Sequence, residues 1–143
     1  MTTLDPKDCS PDEWLNAIKL AYRSEIDQML TNNAGSYDAV ATAWVSKVGP
    51  ENTFAFGVGG AARNFFEQVK HEFNKFLCGD DSYEDLRKKV KQYWKKNNTT
   101  VVMTIAIVIG TKISIAAAVL TPVIALLLAA ASQIGLASWC AGK

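Results

Sequence analysis

The final third of this chain lacks charge almost entirely, and it lacks acid altogether. Between Asn97 and Gly142 the only permanently charged side chain is Lys112. All 14 acidic residues lie between Asp5 and Asp85, beside 7 basic ones, which gives 7 − 14 = −7 for that part. From Leu86 onward there are 8 basic residues and no acidic ones. Such a split separates a solvated acidic region from a basic one suited to an anionic surface.

Other absences narrow the function. One histidine, His71, and no Ser-His-Asp or Cys-His pattern leave no catalytic constellation, so no enzyme is expected. Cys9, Cys78 and Cys140 form no C-x-x-C pair. That spacing argues against a zinc site and a disulfide framework, and it predicts three reduced thiols. Glu67, His71 and Glu72 lack a second histidine, and Asp80, Asp81, Glu84 and Asp85 do not fit a calcium loop. Gly57-Val58-Gly59-Gly60 lacks the lysine of a phosphate-binding loop and reads as a helix-helix turn or a close approach of backbones. No metal and no cofactor are expected. The N-terminus has no apolar core of a secretory signal, which predicts a cytoplasmic start. The alternation that marks strands is missing from residues 1–98.

What is present is helical. Ser10-Pro11-Asp12-Glu13 is a capping box with proline at the first helical position. The helix behind it is expected to run to about Leu30 and to stop at Asn32-Asn33-Ala34-Gly35. Tyr37, Val40, Ala41, Trp44, Val45 and Val48 draw one apolar stripe, ended by Gly49-Pro50. A third helix is expected from about Gly60 to Leu77. A fourth starts at Ser82, with Leu86, Val90, Tyr93 and Trp94 on its apolar side. Trp14 and Trp44 are core candidates. Residues 1–98 thus read as a small acidic four-helix soluble bundle ending in a basic collar.

Residues 99–143 read as a hydrophobic helical hairpin. The 44 residues from Thr99 to Gly142 would make a helix of roughly 66 Å, about twice the ~30 Å hydrocarbon core. Pro122 predicts a break at Leu120-Thr121-Pro122 and arms of about Thr99–Leu120 and Pro122–Trp139. The rival parse is a single span over Ile113–Ala131. Lys112 would sit at mid-depth of the first arm at a cost of about 2.5–3.5 kcal/mol, while each Ile, Val or Leu returns only ~0.3–0.6 kcal/mol. Insertion of that arm is therefore marginal and conditional.

Arg87, Lys88, Lys89, Lys91, Lys95 and Lys96, with Tyr93 and Trp94, form the candidate membrane-docking collar. The candidate insertion residues are Ile105, Ile109, Lys112, Ile115, Leu120, Pro122, Leu126, Leu128 and Trp139. The expected partner is an anionic lipid membrane, with assembly into a homo-oligomer or onto a protein partner. Nucleic acid is not expected, because the acidic region repels phosphate and no groove-reading motif follows. The expected location is the inner (plasma) membrane with a cytoplasmic N-terminal domain.

The Ala/Gly/Ile-rich segment Thr99–Gly142 behind soluble helices resembles the hydrophobic hairpin of colicin-type pore-forming toxins. Phe76-Leu77-Cys78-Gly79-Asp80, Tyr83, Leu86-Arg87 and the terminal Ala137-Ser138-Trp139-Cys140 also resemble small bacterial proteins with a C-terminal membrane segment, some of which act as anti-phage effectors. The resemblance implies insertion and permeabilisation. Two other functions fit the same residues: a tail-anchored or co-folding binding subunit, and a wholly soluble helical oligomer that buries the hydrophobic helices.

Overall fold

A computed structural model describes residues 2–48 and 58–141. Among the described residues the fold is all-α: eight α-helices and two 3-10 turns, with no strand. The helices are α1 (Pro11–Leu15), α2 (Leu20–Asn32), α3 (Tyr37–Val48), α4 (Val58–Cys78), α5 (Glu84–Lys91), α6 (Asn98–Ile113), α7 (Ala117–Ile134) and α8 (Leu136–Cys140). The Gly49-Pro50 stop lies outside the described residues, as does Gly57 of the glycine cluster.

The capping box forms as the sequence predicts. Glu13 N donates to Ser10 Oγ at 3.2 Å, and Ser10 N donates to Glu13 Oε1 at 3.0 Å. The first helix does not continue to Leu30. Trp14, Leu15, Ala17 and Ile18 are all buried, whereas Leu20 is 90% exposed. Four buried residues out of five consecutive positions exceed what one helix face can hide. The helix therefore breaks after Leu15, and the chain restarts as α2 at Leu20.

The centre of the molecule is α7. Every residue from Pro122 to Ala129 is buried. A helix that is apolar all round belongs inside. It packs against α1, α3, α6, α8 and the 3-10 turn at Pro6–Asp8. One hydrophobic cluster joins Trp14, Val40, Trp44 and Phe73 to Ile105, Ile109, Leu120 and Leu126. The division at residue 98 is thus not a division of the core: residues on both sides of it pack into that one cluster.

The break between the two apolar helices also falls elsewhere than expected. It lies at Ser114–Ala116, and Pro122 sits within α7. The stop is a left-handed cap. Ser114 has φ +63, and Ile115 N donates to Gly110 O at 2.8 Å. A Cβ on Gly110 would collide with the Ile115 carbonyl, so glycine makes the turn possible. Pro122 sits in the second turn of α7, where it removes the bond to the Ala118 carbonyl and its ring crowds that carbonyl. The Thr121 hydroxyl binds the Ala117 carbonyl at 2.9 Å beside it.

The thiol expectation is corrected as well. Cys78 at the end of α4 and Cys140 in α8 form a disulfide, with Cα atoms 5.6 Å apart. Sequence separation of 62 hid the pair, because only the packing of α8 on α4 brings the two together. Cys9 alone is free, and it is buried. Burial pushes its thiol up, against a hydrogen bond to Asn98.

Candidate functional site: the apolar helix pair and its basic flank

Helix α6 begins with Asn97, whose side chain accepts from Thr100 N at 3.0 Å. Its buried face is Val101, Val102, Ile105, Ala106 and Ile109. Its other face, with Met103 and Ile107, is exposed. Helix α7 is 18 residues long, carries no Asp, Glu, Lys or Arg, and has a mean hydropathy of 2.0. At ~1.5 Å per residue it measures about 27 Å, close to the ~30 Å hydrocarbon thickness. It is the one described helix long and apolar enough to cross a membrane, and 61% of it is buried inside the fold.

The expected insertion residues do not share one environment. Ile105, Ile109, Leu120, Pro122, Leu126 and Leu128 are core residues, and Ile115 is half-buried in the α6–α7 turn. Trp139 packs edge-on to Phe73 at 6.3 Å and donates its indole N–H to Asn74 Oδ1 at 2.7 Å. In this folded form it belongs to the α4–α8 contact.

Lys112 lies near the end of α6, where a cation meets the negative end of the helix dipole. Its ammonium is 3.6 Å from Glu72 on α4 and 4.3 Å from the centroid of the Tyr83 ring. Tyr83 donates its hydroxyl to Glu72 Oε1 at 2.7 Å. Burial opposes the Glu72 charge, but the Tyr83 hydrogen bond, Lys75, Lys112 and His71 outweigh it, so the carboxyl lies below the usual glutamate range. Tyr83 is pushed well above the usual phenol range, first by burial and then by Glu72. Glu72, Tyr83 and Lys112 thus clamp the end of α6 to α4. The sequence placed Lys112 by its apolar neighbours and gave no sign of its acidic partner, 40 residues earlier (112 − 72 = 40).

The basic collar divides in two. Lys88, Lys89, Lys91, Lys95 and Lys96 are exposed, and Tyr93 is 40% exposed. Arg87 and Trp94 are not on that surface. Arg87 is fully buried. It donates to the carbonyls of Phe76 at 2.7 Å, Asp80 at 2.7 Å and Lys75 at 3.4 Å, and it pairs with Glu84 at 3.1 Å. The Lys75 and Phe76 carbonyls lie in the last turn of α4, where Lys75 O also accepts from Asp80 N at 3.0 Å, and the Asp80 carbonyl lies just beyond the helix. Trp94 stacks on Trp14 at 5.0 Å and donates to Asp8 Oδ2 at 3.0 Å. A helical pattern puts Arg87 next to Leu86 and Val90 on one side, and that phase was the available signal for its burial.

No group of three or more His, Cys, Asp or Glu side chains able to hold a metal ion occurs among the described residues. The chain matches no family model, no curated protein and no solved structure.

Proposed function

We propose that the protein is a membrane-acting helical protein that keeps a membrane-length helix inside a soluble shell and releases it into an anionic bilayer. Under this reading the finer architecture is a sheath of α1–α5, residues 1–98, around a C-terminal hairpin of α6 and α7. The observation that carries it is α7 itself: 18 uncharged residues of mean hydropathy 2.0, held at the centre of a fold whose surface is charged. For such a helix, leaving the core for lipid exchanges one apolar environment for another. The cost falls on the sheath, where Trp14, Val40 and Trp44 lose their cover. Lys112 adds the loss of its Glu72 partner, which makes insertion conditional. The exposed lysines Lys88, Lys89, Lys91, Lys95 and Lys96 supply attraction to anionic lipid at about 1 kcal/mol each near the surface. Several hairpins together would permeabilise the bilayer. The disulfide favours an oxidising compartment for the folded form, against the cytoplasmic start expected from the N-terminus.

A second reading rests on the burial of α7. A helix 61% covered by its own chain needs no membrane, and the protein then serves as a soluble binding subunit. Vesicles separate the two. The oxidised full chain, added to dye-loaded vesicles rich in phosphatidylglycerol, should release dye and leave α6–α7 protected from protease. Phosphatidylcholine vesicles should stay sealed. Intact anionic vesicles across acid and neutral pH, with the protein monodisperse in solution, would select the soluble subunit.

A further inference from the structure

The face built by α2, α6 and the first turns of α7 carries an open groove of about 360 Å³. Its walls are apolar, from Ala17, Met103, Ile107, Ala117, Ala118 and Pro122. Six large apolar side chains are exposed among the described residues. Three of them, Tyr22, Met103 and Ile107, line this groove, and Leu20, 90% exposed, opens the helix that walls it. Apolar exposure gathered in one concave place marks a binding site more than scattered residues do. Thr99, Met103 and Ile107 recur every four residues, so they form one stripe along α6 about 12 Å long.

Cations flank this groove on the α2 side and at its Thr99 end. Lys19 stands on the rim. Beyond Thr99 the groove meets a second, more polar hollow, which shares Ala17 and Thr99 and is lined by Lys95 and Lys96. The acid there, Glu13, is held by the backbone of Ser10. Lys19, Lys95 and Lys96 form no ion pair among the described residues.

We propose that this groove binds one acyl chain of an anionic amphiphile. The tail lies along Met103 and Ile107, and the carboxylate or phosphate head meets Lys19, Lys95 and Lys96. The volume falls in the ~300–1,000 Å³ range of ligand pockets, and a mostly apolar lining with a few polar groups at one end is their common build. The ligand binds the folded form, so the site stands whether or not α7 ever leaves the core. Occupancy raises the melting temperature by mass action.

The test is calorimetric titration of the oxidised full chain with dodecanoate, with dodecyl maltoside and with dodecyltrimethylammonium, which carry the same tail on three heads. Dodecanoate should bind saturably, one molecule per chain, and the cationic head should bind weakest. Lys19→Ala, Lys95→Ala and Lys96→Ala should each weaken dodecanoate about fivefold, since a lysine near an anionic group contributes about 1 kcal/mol and 1.4 kcal/mol is tenfold. Ala118→Trp, which fills the groove, should abolish binding, and Lys7→Glu in the Pro6–Asp8 turn, outside both hollows, should leave it unchanged. Phosphatidylglycerol vesicles that displace dodecanoate would identify membrane lipid as the source; failure to displace it would identify free amphiphile. Equal binding of the three heads, or parent-like binding by Ala118→Trp at a parent-like melting temperature, would overturn the site. So would a dimer that Leu20→Glu dissolves, in a chain that binds no amphiphile. Should Ala118→Trp unfold, the methyl resonance of Met103 in the parent protein decides, since it must shift when dodecanoate is added.

Discussion

Replacing Arg87 by methionine should damage the fold far more than replacing any of the lysines around it. The guanidinium is fully buried and serves three main-chain carbonyls: those of Lys75 and Phe76 in the last turn of α4 and that of Asp80 just beyond it. Methionine fills similar space but donates nothing. A buried polar group left unpaired costs about 1–3 kcal/mol. The Phe76 carbonyl bears that cost in full, because its bond is the buried one, while the part-buried bonds to Lys75 and Asp80 are partly replaced by water. The sum is about 3–5 kcal/mol, the size seen when one member of a buried ionic contact is removed. At ~2–4 °C per kcal/mol for a chain of this size, the melting temperature should fall by roughly 6–20 °C. Arg87→Lys should recover less than half of it, because one ammonium cannot reach carbonyls that a planar fork spans. Lys88→Ala and Lys89→Ala should stay within about 0.5 kcal/mol. Thermal melts followed by circular dichroism at 222 nm measure all four (the far-ultraviolet helix signal). An Arg87→Met protein that melts with the parent would show that the guanidinium is not what closes α4.

Four further outcomes follow from the structure. Reducing the Cys78–Cys140 bond, or Cys140→Ser, should cost about 4 kcal/mol for a closed loop of this length, and reductant should not change the melting temperature of the serine variant. Glu72 has a lowered folded value, so its contribution is present above the ordinary glutamate range and is lost as pH falls through the lowered one; Glu72→Gln should flatten the acid limb of a stability-against-pH curve and leave the neutral region's slope unchanged. Ser114→Gly should stabilise by about 0.5–1 kcal/mol by relieving a left-handed backbone, whereas Gly110→Ala should destabilise through collision with Ile115; denaturant midpoints check both. Leu126→Ala should cost about 2–5 kcal/mol by opening a cavity in the middle of α7.

Local signals carried much of this fold. The capping box at Ser10, the stripe of α3 and the stop after Asn32 are short-range chemistry, and each is where the sequence puts it. The apolar faces with Trp14, Trp44, Phe66, Val69 and Phe73 are also legible, because helical period alone sorts them. Three features needed tertiary packing. Arg87 sits in a run of lysines and has their charge, but only it faces the end of α4. Pro122 looks like the natural break, yet a left-handed serine behind Gly110 makes the turn, and that cap becomes recognisable only when Ile115 folds back. The disulfide and the Glu72–Lys112 pair join residues whose neighbourhood is set by α4 meeting α6 and α8. The basic collar was readable as charge, and its geometry was not.

The position of α7 in the chain has a consequence for the order of events during synthesis. Helices α1 and α3 bury their apolar faces against α7, yet α7 ends at Ile134, 134 − 48 = 86 residues after α3 ends at Val48. At about 5–20 residues per second of translation, the early helices wait roughly 4–17 s for the element that covers them. Through that interval Trp14, Val40 and Trp44 have no native partner in α7, which emerges only after α1–α6. Under the proposed membrane action, folding onto the waiting helices and capture by a nearby bilayer would compete for the same segment. On that reading the outcome would be set by which surface is reached first, so the fate of the chain would be partly a matter of timing.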